Sequence, residues 1–131
     1  MSASDDIWIL GIHMTKFGKH PDKDTVDLGA EAIKGALADA GVSMRDIGVL
    51  AAGNLMGRGG IGQQLQKQVG QTGIPVYNVA NACATGATAL RTAIMAVKAG
   101  EVDMGLAVGV EKLAGAGLLS GGERAADDKE W

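Results

Sequence analysis

The sequence predicts an α/β fold built on a largely parallel sheet. Short apolar runs rich in Val, Ile and Ala alternate with longer stretches at helical spacing, which is the pattern of repeated βαβ units. The first run is apolar at nearly every position, as strands covered on both faces are. Glycine is abundant, at 21 of 131 residues, and aromatic residues make up only 3%. The core is therefore expected to be aliphatic, with backbones packed close together.

Ile7-Trp8-Ile9-Leu10-Gly11-Ile12 predicts a first strand buried on both faces. A polar loop follows, with His13 read as a strand-end residue and His20, beside Pro21, as a solvated one. Asp24 is placed to cap a helix and Asp27 to favour its positive end. Val26, Ala30, Ile33, Leu37 and Ala40 then repeat at helical spacing, and Gly41 supplies the stop. Ser43 to Asp46 turns into a second strand, Ile47–Gly53. A glycine-rich passage, Gly53 to Gly62, leads to a polar helix from Gly62 to Val69. Pro75–Val79 is the third strand.

The helix after Cys83 carries Ala87, Leu90, Ile94 and Val97 on one face, with Arg91 and Lys98 opposite, and ends before Gly100. Met104–Val110 is the fourth strand. Beyond Glu111 the chain becomes loop-like and then charged, with no helix to close the last unit. The expected organisation is a βαβαβαβ domain over residues 1–113, followed by the start of a loop region over residues 114–131.

A net charge of −3 and a pI near 5.2, with no basic stripe interleaved with aromatic residues, argue against nucleic-acid binding. No apolar run reaches the roughly eighteen residues of a membrane span, and the acidic start does not read as a secretory signal. A single cysteine excludes an internal disulfide and suits a reducing compartment. A cytoplasmic location is expected. Gly57-Arg58-Gly59-Gly60-Ile61-Gly62 matches G-x-G-x-x-G, but no Asp or Glu stands between Ile47 and Gly100 to hold a ribose, so the match is read as chance. There is no Cys/His cluster to bind a metal.

Cys83 lies in Asn81-Ala82-Cys83-Ala84-Thr85-Gly86, between an extended segment and a helix of small residues. The sulfur is thereby placed at a helix N-terminus, where unpaired N–H groups and the helix dipole favour an anion. A lone cysteine is by default a small buried hydrophobe; strand–Cys–helix placement makes a nucleophile an equal reading. Asn81 is read as orienting the loop through its amide, and Thr85 and Thr88 as satisfying local backbone groups.

Four anchors surround this segment in order: Gly62-Gln63, Gly73-Ile74-Pro75, the Cys-Ala-Thr-Gly run at Cys83, and Gly109-Val110-Glu111. Together they resemble the N-terminal part of a thiolase, and most resemble the sterol-carrier-protein-X branch of that family. The resemblance runs from about Ile7 to Leu119. It implies a thiolase-like fold that is incomplete without a second, similarly folded half. It also implies Cys83 as the nucleophile of acyl transfer from coenzyme A, followed by Claisen condensation or thiolytic cleavage. The Cys83 N–H would serve as one oxyanion donor.

On the same footing, Arg58 is a candidate contact for the coenzyme's phosphates, and Gly86 lets the first helical turn approach substrate or backbone. Glu111 is read as structural, pinning the loop after the fourth strand. No cofactor is implied, since coenzyme A thioesters are the substrates. Where many thiolases carry arginine, this chain has Lys67. The catalytic histidine of the family comes from its second half, and neither His13 nor His20 matches it. The resemblance further implies a homodimer through residues 75–79, or a larger assembly, and in some relatives a zinc-ribbon and OB-fold partner. Two alternatives stand beside this reading. One is a condensing enzyme of the same superfamily, of ketoacyl synthase or hydroxymethylglutaryl-CoA synthase type. The other is a non-catalytic truncated subunit acting in assembly.

Overall fold

A computed structural model describes residues 6–57 and 59–113 of the chain. Arg58 and the loop region expected over residues 114–131 lie outside the described residues. Helix α1 (Thr25–Ala40) begins at Asp24, whose side chain accepts the Asp27 N–H at 2.8 Å while the Asp27 carboxylate accepts the Asp24 N–H at 3.0 Å. This reciprocal box satisfies two donors that the helix cannot satisfy itself. Gly41 ends the helix at φ 70°, a left-handed conformation that favours glycine. A short 3-10 turn, Met44–Asp46, leads into β1 (Val49–Gly53). Then come α2 (Ile61–Val69), β2 (Val76–Val79), α3 (Thr85–Lys98) and β3 (Gly105–Gly109).

The three strands form one parallel sheet in the order β2-β1-β3. Alternation along each strand divides its side chains between two faces. Leu50 and Ala52 of β1, with Leu106 and Val108 of β3, meet Ala30 and Ile33 of α1 and Ile61 and Leu65 of α2 in the main core. On the other face Ala51 packs with Ala89 and Ala93 of α3, bordered by Val79 and Ala107. All five residues of β1 are buried, as expected of a central strand covered by helices on both sides.

Two expectations need correction. Ile7–Ile12 forms no strand: the segment runs extended along α1, where the Ile12 N–H donates to Asp39 Oδ2 at 2.8 Å. Gly11 lies so close to this helix that an added Cβ would stand 2.5 Å from the Ala36 carbonyl oxygen. A cleft of about 580 Å³ opens between the segment and β3, lined also by Leu90, Ile94 and Val97. Parallel strands must lie about 4.8 Å apart to share a ladder, and the cleft keeps these two separate. The apolar side chains meant for a buried strand are instead exposed, Trp8 by 76% and Ile12 by 72%.

The second correction concerns the buried face of α3. It is formed by Thr85, Ala89 and Ala93, whereas Leu90 is exposed and Ile94 and Val97 are half-buried. Small side chains allow the helix axis to come close to the sheet, and the larger ones on the neighbouring stripe border the cleft. The histidines also differ from expectation. His20 is half-buried, with Nε2 hydrogen-bonded to the Lys16 carbonyl oxygen at 2.7 Å, and the ring of His13 lies against Gly35 of α1.

Candidate active site

Cys83 is exposed on the loop joining β2 to α3, beside the carboxyl ends of all three strands. In open parallel sheets this edge is where ligands bind. The loop is short and tightly bonded. The Ala84 N–H donates to the Asn81 carbonyl at 2.9 Å and the Thr85 N–H to the Ala82 carbonyl at 3.2 Å. The Thr85 hydroxyl accepts the Asn81 N–H at 2.7 Å and donates to the Ala82 carbonyl at 2.7 Å. Asn81 Nδ2 donates to Thr88 Oγ1 at 3.0 Å, and Thr88 Oγ1 donates to the Ala84 carbonyl at 2.9 Å. Asn81, Thr85 and Thr88 thus act on local backbone and on one another.

Ala82 sits at φ 46°, the one described residue other than glycine with a positive φ. An L-residue with a Cβ is disfavoured there by about 1–2 kcal/mol. The cost falls on the residue immediately before Cys83, which the loop hydrogen bonds hold in place. Sequence reasoning had no signal for this, since glycine, asparagine and aspartate, not alanine, are the residues that mark a left-handed position.

The start of α3 rests on glycine. A Cβ at Gly53, the last residue of β1, would stand 2.8 Å from Thr85 Cγ2 and 2.9 Å from the Thr85 carbonyl oxygen. A Cβ at Gly109, the last residue of β3, would stand 2.9 Å from Gly86 Cα. The strand residues facing α3 shrink toward this end in β1 (Val49, Ala51, Gly53) and are small throughout β3 (Gly105, Ala107, Gly109). Gly86 does meet backbone closely, but the steric demand belongs to its neighbour. A Cβ at Gly86 would find Gly109 Cα at 4.0 Å, an ordinary contact.

The loops after β1 and β3 are tied together at the same edge. The Glu111 carboxylate accepts the Leu55 N–H at 2.9 Å, the Met56 N–H at 3.1 Å and Asn54 Nδ2 at 3.2 Å. Asn54 Nδ2 also donates to the Val110 carbonyl at 2.8 Å, and its Oδ1 accepts the Gly57 N–H at 2.8 Å. Among the described residues, Glu111 therefore anchors the glycine-rich passage after β1. No local pattern could reveal a contact that spans more than fifty residues of chain. On the far side, Asn78 of β2 accepts the Gly62 N–H at 2.7 Å and donates to Gln63 Oε1 at 2.8 Å. The Gly62-Gln63 pair thus fixes the start of α2 on the sheet.

Comparison with known proteins agrees with this arrangement. The family profile described as "Thiolase, N-terminal domain" matches residues 7–124. The chain is 37% identical over 131 residues to an acetyl-CoA acetyltransferase of Methanothermobacter thermautotrophicus, covering 96% of this chain and 34% of that protein. It is 40% identical over 119 residues to sterol carrier protein 2 of Gallus gallus, covering 88% of this chain and 22% of that protein. The chain thus spans between about a fifth and a third of these relatives' length.

Among solved structures, the fold is similar to Xanthomonas campestris OleA H285D, with a TM-score of 0.55 and 21% identity over 63% of this chain and 25% of that one. It is also similar to 3-oxoacyl-[acyl-carrier-protein] synthase III of Aquifex aeolicus, with a TM-score of 0.54 and 19% identity over 61% of this chain and 27% of that one. On the sequence match and the parallel α/β architecture together, the chain belongs to the thiolase family, matching its N-terminal domain over residues 7–124.

Proposed function

We propose that this chain bears the nucleophile of a thiolase-type acyl transfer between coenzyme A and Cys83. The observation that carries the reading is the placement of Cys83: an exposed sulfur before the first turn of α3, at the carboxyl edge of a parallel sheet, behind a residue in left-handed conformation. In this reading the Cys83 sulfur attacks the carbonyl carbon of an acyl-CoA. A carbon–sulfur bond forms to the protein and the bond to the coenzyme sulfur breaks, releasing coenzyme A. The resulting thioester keeps the acyl group reactive for a second transfer. In the synthetic direction a carbanion from another acyl-CoA attacks it, forming a carbon–carbon bond as the bond to the Cys83 sulfur breaks. In the degradative direction Cys83 instead attacks the ketone carbonyl of a 3-ketoacyl-CoA, the carbon–carbon bond beside it breaks, and the departing acyl-CoA carbanion takes up a proton. Free coenzyme A then takes the acyl group from Cys83.

Backbone N–H groups at the start of α3 suit a developing oxyanion. The acid and base are assigned to a second half of the fold, in keeping with relatives several times longer than this chain. Arg58 and Gly86 are assigned contacts with the coenzyme. β2 is the outer strand of the sheet, and Tyr77 and Asn78 on it are exposed. An open strand edge invites a further strand, and this supports a homodimer through residues 75–79.

The test is intact-mass spectrometry after incubation with acetyl-CoA, alone and with any co-purifying polypeptide. An acetyl adduct is expected that disappears in Cys83→Ser. The absence of an adduct under both conditions would remove the nucleophile assignment. Light scattering on the same samples tests the dimer.

A further inference from the structure

We infer that Thr85 is a positioning residue for Cys83, its hydroxyl setting the loop conformation and its methyl fixing the direction of that hydroxyl. This rests on reading Cys83 as the nucleophile. The hydroxyl joins the N–H of Asn81 to the carbonyl of Ala82, both at 2.7 Å, and so grips Ala82 from both sides. Ala82 has no preference of its own for φ 46°, so external bonds must hold it there.

Thr85 is buried, with 8% of its surface exposed, and with Gln66 it makes up the buried polar residues among those described. Water cannot readily replace its two bonds. The methyl group stands over Gly53, where an added Cβ would approach Cγ2 to 2.8 Å, so the side chain has little room to rotate the hydroxyl away. Thr88, one turn later, is only half-buried and bonds the Ala84 carbonyl as helical threonines commonly do. Thr88 reaches back beyond the cysteine only to the Asn81 side chain, whereas Thr85 bonds the strained residue itself. By holding Ala82, it keeps the exposed sulfur in place just before the first turn of α3.

The experiment measures how fast acetyl-CoA, and separately iodoacetamide, modifies Cys83 in the parent chain, Thr85→Ser, Thr85→Val and the double variant Ala82→Gly/Thr85→Val. The iodoacetamide rate in urea serves as the unfolded reference, and thermal unfolding is followed in parallel. T85V keeps the methyl packing and is expected to slow both native reactions by about ten-fold, as the loss of a buried hydroxyl's bonds implies. T85S keeps the hydroxyl and is expected to stay within about two-fold of the parent. Glycine adopts a positive φ without strain, so the double variant is expected to recover most of the loss.

T85V reacting at the parent rate would overturn the proposal, as would T85S falling as far as T85V. T85A repeats the hydroxyl deletion, with the same expectation, where T85V does not fold. If the parent forms no acetyl adduct while the iodoacetamide rates still separate as described, the acyl-transfer reading fails and the positioning role of Thr85 stands.

Discussion

The two faces of the sheet are built on opposite terms. The face toward α1 and α2 is filled by branched aliphatic side chains, among them the fully buried Ile33, Leu50 and Leu65. The face toward α3 is alanine and glycine nearly throughout. A core of large side chains can shift by rotamer changes when one member is altered. A helix resting on glycine α-carbons has no such slack. Stability therefore belongs mainly to the first face, and the placement of Cys83 mainly to the second.

Leu65→Ala would test the first half of that contrast with the largest effect. Leu65 is fully buried, and its truncation is expected to cost about 2–5 kcal/mol, read from urea unfolding. Cys83 in the remaining folded molecules should alkylate at the parent rate. An equal loss of reactivity would mean that the two faces are not separable.

Gly53→Ala and Gly109→Ala probe the second face. Each places a methyl group within 2.9 Å of the first turn of α3 and is expected to cost about 1–3 kcal/mol through overpacking. Here Cys83 reactivity should fall together with stability. Gly86→Ala sharpens the point, since its new methyl meets only an ordinary contact at 4.0 Å. With alanine favoured over glycine in a helix, stability should stay equal or rise by up to about 1 kcal/mol. A drop in acetyl transfer without loss of stability would then assign Gly86 to the coenzyme.

The smallest effect concerns a polar tether outside both faces. Lys23 Nζ and Glu31 Oε2 are 2.7 Å apart, with their side chains 36% and 41% exposed. The hydrogen bond to Lys23 lowers the Glu31 carboxyl below its usual value, and the same bond raises Lys23 above its own. The Glu31 contribution is thus present above the unfolded carboxyl range and is lost as pH falls through the lowered value. The Lys23 contribution is complete below the ordinary lysine range and is lost as pH rises through the raised one. Glu31→Gln should therefore flatten the acid side of the stability profile only slightly.

Much of the architecture could be read along the chain. Asp24, Asp27 and Gly41 announced both ends of α1, and the run from Gly62 to Val69 gave α2 to within a residue of its observed start. Their signals are local: a capping pair, a left-handed stop, a helical period. Ile7–Ile12 misled because an apolar run reports that burial is available without saying which neighbour provides it. Cys83 was placed correctly at its loop, and Asn81 and Thr88 in their local roles. The grip of Thr85 on Ala82 and the reach of Glu111 to Leu55 and Met56 depend on the folded path of the chain, and no periodicity encodes them.

The cleft beside β3 has a consequence for handling the protein in solution. Among the described residues the outer edge of β3 pairs with no strand and lies next to an exposed apolar run. Such an edge is a template for intermolecular pairing, so self-association that rises with concentration is expected at this side. Trp8 lies on that run, 76% exposed, and the other tryptophan of the chain is Trp131. In a Trp131→Phe variant, indole emission would come from the run alone. A blue shift on raising the protein concentration would report the moment when something covers it.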